Sequence, residues 1–376
     1  MVLLARSIPL QEMGVFSSYI NIIGILLLIT NFGFSEYLLV NSKDNITGKD
    51  NFKKFSNLSI LIFIAITLGS IFLPIENIKL FILVLLKIYF EVHLYNILLS
   101  YYQAINQIKV ITVTNIVSGV LFIVISLLCY YFDSKIYSYL IFLNIAYIVV
   151  VLIHSRYVKF QIKSIKSMVL LLKEIGNDLK YYGLTTITVP IYMMAPTVIA
   201  SLLLSEEVLA RYQVAFSISN IVTLISVSIL QANYPQFLSI RDDIRALRTA
   251  LIRVGFKIIS FNIVIFLIFI TVGKDLLLLV YKKAAYADAY LPILMLLIAY
   301  TIFIFASILA VIMVVHKRQK QKSKFHIEFI IISLLSGLCL IHLYGILGVT
   351  ISYIVLYTYT AVRYLYMYNK IHKSLL

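Results

Sequence analysis

Two groups of polar residues inside apolar stretches carry the chemistry this chain offers. In Glu206–Phe237, EEVLARYQVAFSISNIVTLISVSILQANYPQF, the residues Gln213, Ser217, Asn220 and Gln231 recur at spacings of 4, 3 and 11, close to whole helical turns. An unsatisfied donor in hydrocarbon costs several kcal/mol, so such a stripe turns away from lipid and reads as the wall of an internal cavity. Lys87 and Glu91 stand at i and i+4 in another apolar run. They are either a mutually neutralised pair that tolerates burial or a cationic, proton-coupled position on a hydrophilic path. Arg211 lies about one turn inside the end of its run, where it either snorkels to headgroups or faces the cavity mouth. Glu36 and Glu328 lie near the other ends of their runs, where snorkelling or pairing with loop cations is expected, and His93 reads as an ordinary polar residue.

The elements that position these groups follow from composition. The chain has 376 residues, 62% hydrophobic and 13% charged, with a mean hydropathy of +0.99. A soluble domain lies near 45–50% apolar and about 25% charged, so the fold class is all-α polytopic membrane protein. About eleven apolar runs are long enough to cross a hydrocarbon core of ~30 Å. They are 13–40, 56–73, 78–104, 110–132, 136–155, 181–204, 207–238, 249–273, 288–316, 325–342 and 345–368.

The net charge of +16 would suggest nucleic acid in a soluble protein. Here 24 of the 32 Lys and Arg fall in alternate loops, among them Lys43–Lys54, Arg156–Lys180, Arg241–Lys257 and Lys317–Lys324; only seven lie opposite. The positive-inside rule makes the richer side, and the C-terminus, cytoplasmic. It also places Met1 outside, although Met1–Gln11 shows no cleavable signal. No nucleic-acid partner is implied. Cys129 and Cys339 lie inside apolar runs without CxxC spacing, so neither disulfide nor metal is indicated. With no Trp, interfacial anchoring falls to the 28 Tyr, many of which reflect a general Ile, Lys, Asn and Tyr bias.

The long connection before residue 181 divides the chain into an N-terminal lobe of five spans (1–155), a linker (156–180) and a C-terminal lobe of six spans (181–376). Apolar residues recur every three to four positions in the linker against a lysine face. It reads as an amphipathic helix on the anionic inner surface, or else as a solvated connection. Pro190 and Pro196 in the sixth span and Pro292 in the ninth are candidate bends that suit a gating wall. Thr185, Thr186, Thr188 and Thr197 are available to bond the carbonyls that the sixth-span prolines release.

A shift of 196 residues lays Ser17, Asn21, Gly24 and Ser35 on Gln213, Ser217, Asn220 and Gln231, while Asn31 meets Val227 and breaks the match. Ser17, Asn21 and Asn31 therefore join the cavity candidates, in a parallel rather than inverted repeat. Span 181–204 precedes the second copy and has no counterpart before residue 13, so a first helix is expected to be missing. The chain contains no GxxxxGK[ST], HExxH or GxSxG, no arginine series of the voltage-sensor kind and no TVGYG filter. Nucleotide-driven transport on this chain, the corresponding hydrolases and a potassium-type channel are thereby set aside, and no cofactor is implied.

Several segments resemble the bacterial polysaccharide flippases, the O-antigen and capsule exporters of the multidrug/oligosaccharidyl-lipid/polysaccharide exporter superfamily. LLARSIPLQEMGVFSSY, with Arg6, resembles the family's link between first and second helices, and TNFGFSEYLLVNSKD resembles the end of the second. SEEVLARYQVAFSISN and NYPQFLS are similar to the two ends of the eighth, YKKAAYADAYLPILML to the start of the tenth, and YGILGVTISYIV to the start of the twelfth. The resemblance covers Leu3 to about Tyr368 in the family's order, without the family's first helix. It implies two lobes around a cavity that opens alternately to each side of the bacterial inner membrane. The implied cargo is an oligosaccharide repeat unit on undecaprenyl pyrophosphate, and the implied partners are membrane lipids, a polysaccharide polymerase and a chain-length regulator. A transporter rather than an enzyme is expected. The alternatives are a multidrug or lipid II exporter of the same superfamily, or a membrane polysaccharide polymerase or glycosyltransferase.

Overall fold

A backbone in hydrocarbon must satisfy its own hydrogen bonds, and helices do so within one segment. In the computed structural model, which describes residues 5–6, 8–41, 45–70, 72, 77–104, 107–132, 136–158, 165–240, 243–316 and 318–375, all regular structure is helical. Ten helices among the described residues are long and apolar enough to cross a membrane. The tenth lies within α13 (Gln319–Leu375), which Gly345 breaks at φ 56° and ψ −128°, so it supplies the last two of the eleven apolar runs. Gly348 follows the break. A Cβ there would stand 1.9 Å from the Leu340 carbonyl oxygen, so the close return of the chain admits no side chain.

The chain forms two compact units: Ser7–Pro9 with Ser18–Ile191, and Met1–Arg6 with Leu10–Ser17 and Tyr192–Leu376. The first holds α1 (Leu10–Leu26) from Ser18 onward, α2 (Phe34–Asn41), α3 (Asn45–Ser70), α4 (Ile78–Ile88), α5 (Tyr95–Ala104), α6 (Ile108–Tyr131) and α7 (Ile136–Val158). It also holds α8 (Ile165–Leu203) as far as Ile191. The second holds the rest of α8, then α9 (Glu206–Ala232), α10 (Tyr234–Ser239), α11 (Ile244–Tyr281), α12 (Tyr290–Val315) and α13. Of the expected linker, residues 159–164 and all side chains from 154 to 182 lie outside the described residues, whereas the backbone from Ile165 to Leu203 is one helix of 39 residues.

Two expected spans are interrupted. The run 13–40 is not one helix: α1 passes into a 3-10 turn, Leu27–Asn31, and Gly33 takes φ 74° before α2 starts. Asn31 Oδ1 accepts the Ser35 N–H at 3.2 Å and its hydroxyl at 3.0 Å, so this side chain holds the restart of the helix. The run 78–104 begins under an Asn77 cap, whose side chain accepts the Leu80 N–H at 3.2 Å. It then widens into a π-helical segment, Tyr89–Leu94, between α4 and α5. Such segments insert a residue into the ladder and cluster at functional sites.

The second unit also recruits the start of the chain. Arg6 donates from Nη2 to the Leu279 carbonyl at 3.1 Å and from Nε to that of Val280, capping the end of α11 where the helix dipole favours a cation. Lys283 Nζ donates to the Ala5 carbonyl at 2.8 Å, and burial lowers its pKa from the ordinary lysine value. Gly14 is pressed against the Glu206 backbone, with 2.0 Å left to the carbonyl oxygen for any Cβ.

The tyrosines do more than mark interfaces. Tyr89, Tyr212, Tyr281, Tyr286, Tyr353 and Tyr357 are among the largest fully buried side chains. In the second unit Tyr353 and Tyr357 lie 5.5 Å apart between ring centroids, with Tyr300 and Phe303 beside them. Each such ring pair contributes about 1 kcal/mol beyond the area it buries.

Candidate functional site

The π segment positions a charged pair. Lys87 ends α4, Glu91 lies one turn on, and Lys87 Nζ donates to Glu91 Oε2. Their side chains are 14% and 28% exposed, so the pair is largely removed from its surroundings. The Tyr147 hydroxyl, from α7, lies near the Glu91 carboxylate. Asn144, one turn before Tyr147, donates to the Leu83 carbonyl at 3.0 Å, and its own buried Oδ1 has no hydrogen-bond partner among the described residues. His93 is buried in the same segment. Tyr147 and Asn144 escaped the sequence reading because each is a single polar residue in a run that otherwise reads as lipid-facing.

The stripe on α9 is wetter at one end than the other. Gln213 is buried and its Oε1 has no hydrogen-bond partner among the described residues, while Ser217 and Asn220 are half-buried. The Gln231 side chain lies outside the described residues. A second stripe on α9, Ser219, Thr223 and Ser226, is buried outright, with Ser226 donating to Asn262 Oδ1 on α11 at 2.9 Å. It is turned roughly 120° from the first at 3.6 residues per turn. Its 4 and 3 spacing was equally visible in the sequence, but small hydroxyls satisfy themselves within a helix and so signal a cavity less strongly than Gln or Asn.

Of the residues set opposite this stripe by the 196-residue shift, Ser17 is fully buried and donates to the Met13 carbonyl at 2.7 Å. Asn21 is also buried, and Asn31 is held by Ser35 as described above.

Arg211 has an acidic partner that the sequence reading did not name. Its Nη1 pairs with Asp288 Oδ2 at 3.1 Å, from the 3-10 turn Ala284–Ala289, and its buried Nε is unpartnered among the described residues. Glu328 finds its cation on its own helix pair: Arg363 donates to it at 2.7 Å and the Tyr359 hydroxyl at 2.9 Å, with the guanidinium 4.4 Å from the Phe325 ring centre. The Glu36 side chain lies outside the described residues.

Of the prolines, Pro196 removes the N–H that would bond the Tyr192 carbonyl four residues earlier. Ser333 Oγ, from α13, takes that carbonyl at 2.7 Å. The sequence assigned this task to threonines of the same helix. Thr197 instead shares its hydroxyl with Tyr212 at 2.8 Å and Tyr353 at 2.7 Å, and Tyr353 in turn donates to the Met193 carbonyl at 2.8 Å. Pro190 is half-buried on the same helix. Pro292 is the third residue of α12, where an N–H has no intrahelical partner to lose, so it starts a helix instead of bending one.

The comparisons with known proteins agree with this architecture. No curated protein sequence matches the chain. Among solved structures, an inward-facing multidrug resistance MATE family transporter of the MOP superfamily superposes with a TM-score of 0.69 at 12% identity, over 100% of this chain and 93% of that one. The lipid II flippase MurJ, in an inward closed conformation, gives 0.67 at 18% identity, over 97% and 83%. A MOP superfamily transporter from Pyrococcus furiosus gives 0.59 at 12%, over 100% and 96%. These likenesses establish the exporter fold. In sequence, residues 1–241 match the family model described as polysaccharide biosynthesis protein. That match spans well over half of the 376 residues, and the chain belongs to the polysaccharide biosynthesis protein family.

Proposed function

We propose that the chain is a flippase that turns undecaprenyl-pyrophosphate-linked oligosaccharide repeat units from the cytoplasmic to the outer leaflet of the bacterial inner membrane, by alternating access. The observation that carries this reading is the match of residues 1–241 to a polysaccharide biosynthesis family on a chain with the exporter fold. In this reading the C-terminus is cytoplasmic, on the side holding 24 of the 32 cations. Sugar hydroxyls need hydrogen-bonding partners in transit, and Gln213, Ser217, Asn220, Gln231, Ser17 and Asn21 are the proposed ones. The unpartnered Gln213 Oε1 supports that role. Pyrophosphate needs cationic charge, for which Lys87 and Arg211 are the candidates, as a point charge and as a planar fork respectively. Pro196 is the proposed site of bending during the cycle. A polysaccharide polymerase and a chain-length regulator are the proposed downstream partners.

Deleting the gene tests this directly. Lipid-linked repeat units are expected to accumulate on the inner leaflet while outer-surface polysaccharide is lost. Unchanged surface polysaccharide with reduced efflux of cationic dyes would instead establish a multidrug exporter, a reading the MATE likeness keeps in view. Accumulation of lipid II would establish the cell-wall counterpart, as the MurJ likeness suggests. Repeat units that reach the outer leaflet but stay unpolymerised would point to a polymerase.

A further inference from the structure

The first unit contains a cavity lined by none of the residues proposed above for cargo. Phe52 and Ile60 of α3, Phe90 and Leu94 of the π segment, Leu98 of α5 and Val151 and Leu152 of α7 enclose about 140 Å³. Its walls are apolar throughout. An apolar cavity of about this size stays dry and accepts a small hydrocarbon such as benzene. Phe52 and Leu98 of its lining also belong to a packed cluster with Phe34, Phe55, Tyr95 and Tyr101, in which Phe34 and Phe55 are stacked. Its mouth opens beside Leu152, which is 56% exposed.

Three features identify an occupant. The lining residues Phe52 and Ile60 are eight positions apart, as are Phe90 and Leu98, giving a groove about 12 Å long at 1.5 Å per residue. That length lies within one leaflet of a ~30 Å hydrocarbon core. The groove also occupies the end of the unit nearest the cationic loops: Phe52 stands at the start of its candidate span, Lys49–Ser70. Finally, Lys49 and Lys53 precede Ile60 by 11 and 7 residues, which puts them on the Ile60 face of α3, toward its N-terminal end. Asp50, the nearby acid, is turned to another face and paired with Lys54 at 2.7 Å.

We infer that this groove is a binding site for one acyl chain of an anionic glycerophospholipid from the cation-rich leaflet, with its phosphate held by Lys49 and Lys53. The inference rests on the cavity and the lysines and stands whichever cargo the transporter carries. The site would couple the first unit to the charge of the leaflet in which it sits, because each lysine near an anionic surface adds a defined increment of binding.

Native mass spectrometry of the full chain, released from nanodiscs of phosphatidylglycerol and phosphatidylcholine in equal parts, tests it. The wild type is expected to retain one phosphatidylglycerol, preferred about thirty-fold if two lysines contribute as such residues do at membrane surfaces. Ile60→Trp, which fills the groove, removes the retained lipid. Leu152→Trp, at a position already open to lipid and so free to vary without unfolding the unit, does the same by closing the mouth. The double substitution Lys49→Gln/Lys53→Gln keeps a lipid bound but abolishes the preference. Retention of phosphatidylglycerol unchanged by both tryptophans overturns the inference, as does equal retention of the two lipids by the wild type. A polyprenyl phosphate found in place of the glycerophospholipid, in protein purified from cells, also overturns it.

Discussion

In the first unit the span interrupted at Tyr89–Leu94 carries a salt bridge, whereas in the second unit the carbonyl that Pro196 leaves without its N–H partner is taken by a hydroxyl. Both stand where a helix departs from its regular backbone ladder. Their costs differ. A hydroxyl on a freed carbonyl replaces one neutral hydrogen bond with another, and Thr197, Tyr212, Tyr353 and Ser333 close their network without any net charge. Placing Lys87 and Glu91 in a span removes two full charges from water, a penalty their mutual attraction offsets only in part. Packing alone would not require such a pair. The neutral repair at Pro196 and the charged pair at the π segment should therefore respond differently to substitution.

Removing one partner of the charged pair should have the largest effect. Lys87→Met strands the Glu91 carboxylate and is expected to lower stability by about 3 kcal/mol, read by thermal unfolding in detergent. Lys87→Met/Glu91→Gln should recover most of that loss, because no unpaired charge is then left in the span. Transport by the double variant then decides what the pair is for. Recovered stability with lost transport assigns the charge to cargo or coupling, and recovery of both makes the pair structural.

The hydroxyl device should respond more weakly and in a different pattern. Ser333→Ala leaves the Tyr192 carbonyl without its partner, at a cost of about 1–2 kcal/mol. In a Pro196→Ala background residue 196 regains an N–H that can reach that carbonyl, so Ser333→Ala should then cost little. Double-mutant analysis of unfolding is expected to give a coupling of about 1 kcal/mol between the two sites. Strict additivity would mean that Ser333 does not mend the proline.

The contrast also marks what was legible in the letters. Long apolar runs and alternating cations define the spans, because hydrocarbon thickness and backbone satisfaction leave few other solutions. Lys87 and Glu91 were visible as a pair because their spacing is local. Ser333 and Pro196 were not, since 141 residues separate the released Tyr192 carbonyl from the hydroxyl that takes it. The same holds for Arg6, which caps a helix ending at Tyr281. Asn31 is the reverse case, a local contact: Gly33 turns the chain two residues later, and Asn31 Oδ1 accepts the Ser35 N–H where the helix restarts.

The smallest stability effect is expected where the second unit does carry charge. Arg211 and Asp288 pair at 3.1 Å, but Asp288 is 66% exposed, and an ion pair open to solvent contributes at most about 0.5 kcal/mol. Asp288→Asn should therefore barely move the unfolding temperature. Its value lies in what it releases. With Asp288 neutral the guanidinium keeps its charge and loses its competitor, so a phosphate-bearing cargo should bind at least as well as to the wild type. Arg211→Gln removes the fork itself and should depress transport if Arg211 meets cargo. Equal loss of transport in both variants would show that the pair, not the arginine, is what the second unit needs, and would leave Lys87 as the chain's one cationic candidate for pyrophosphate.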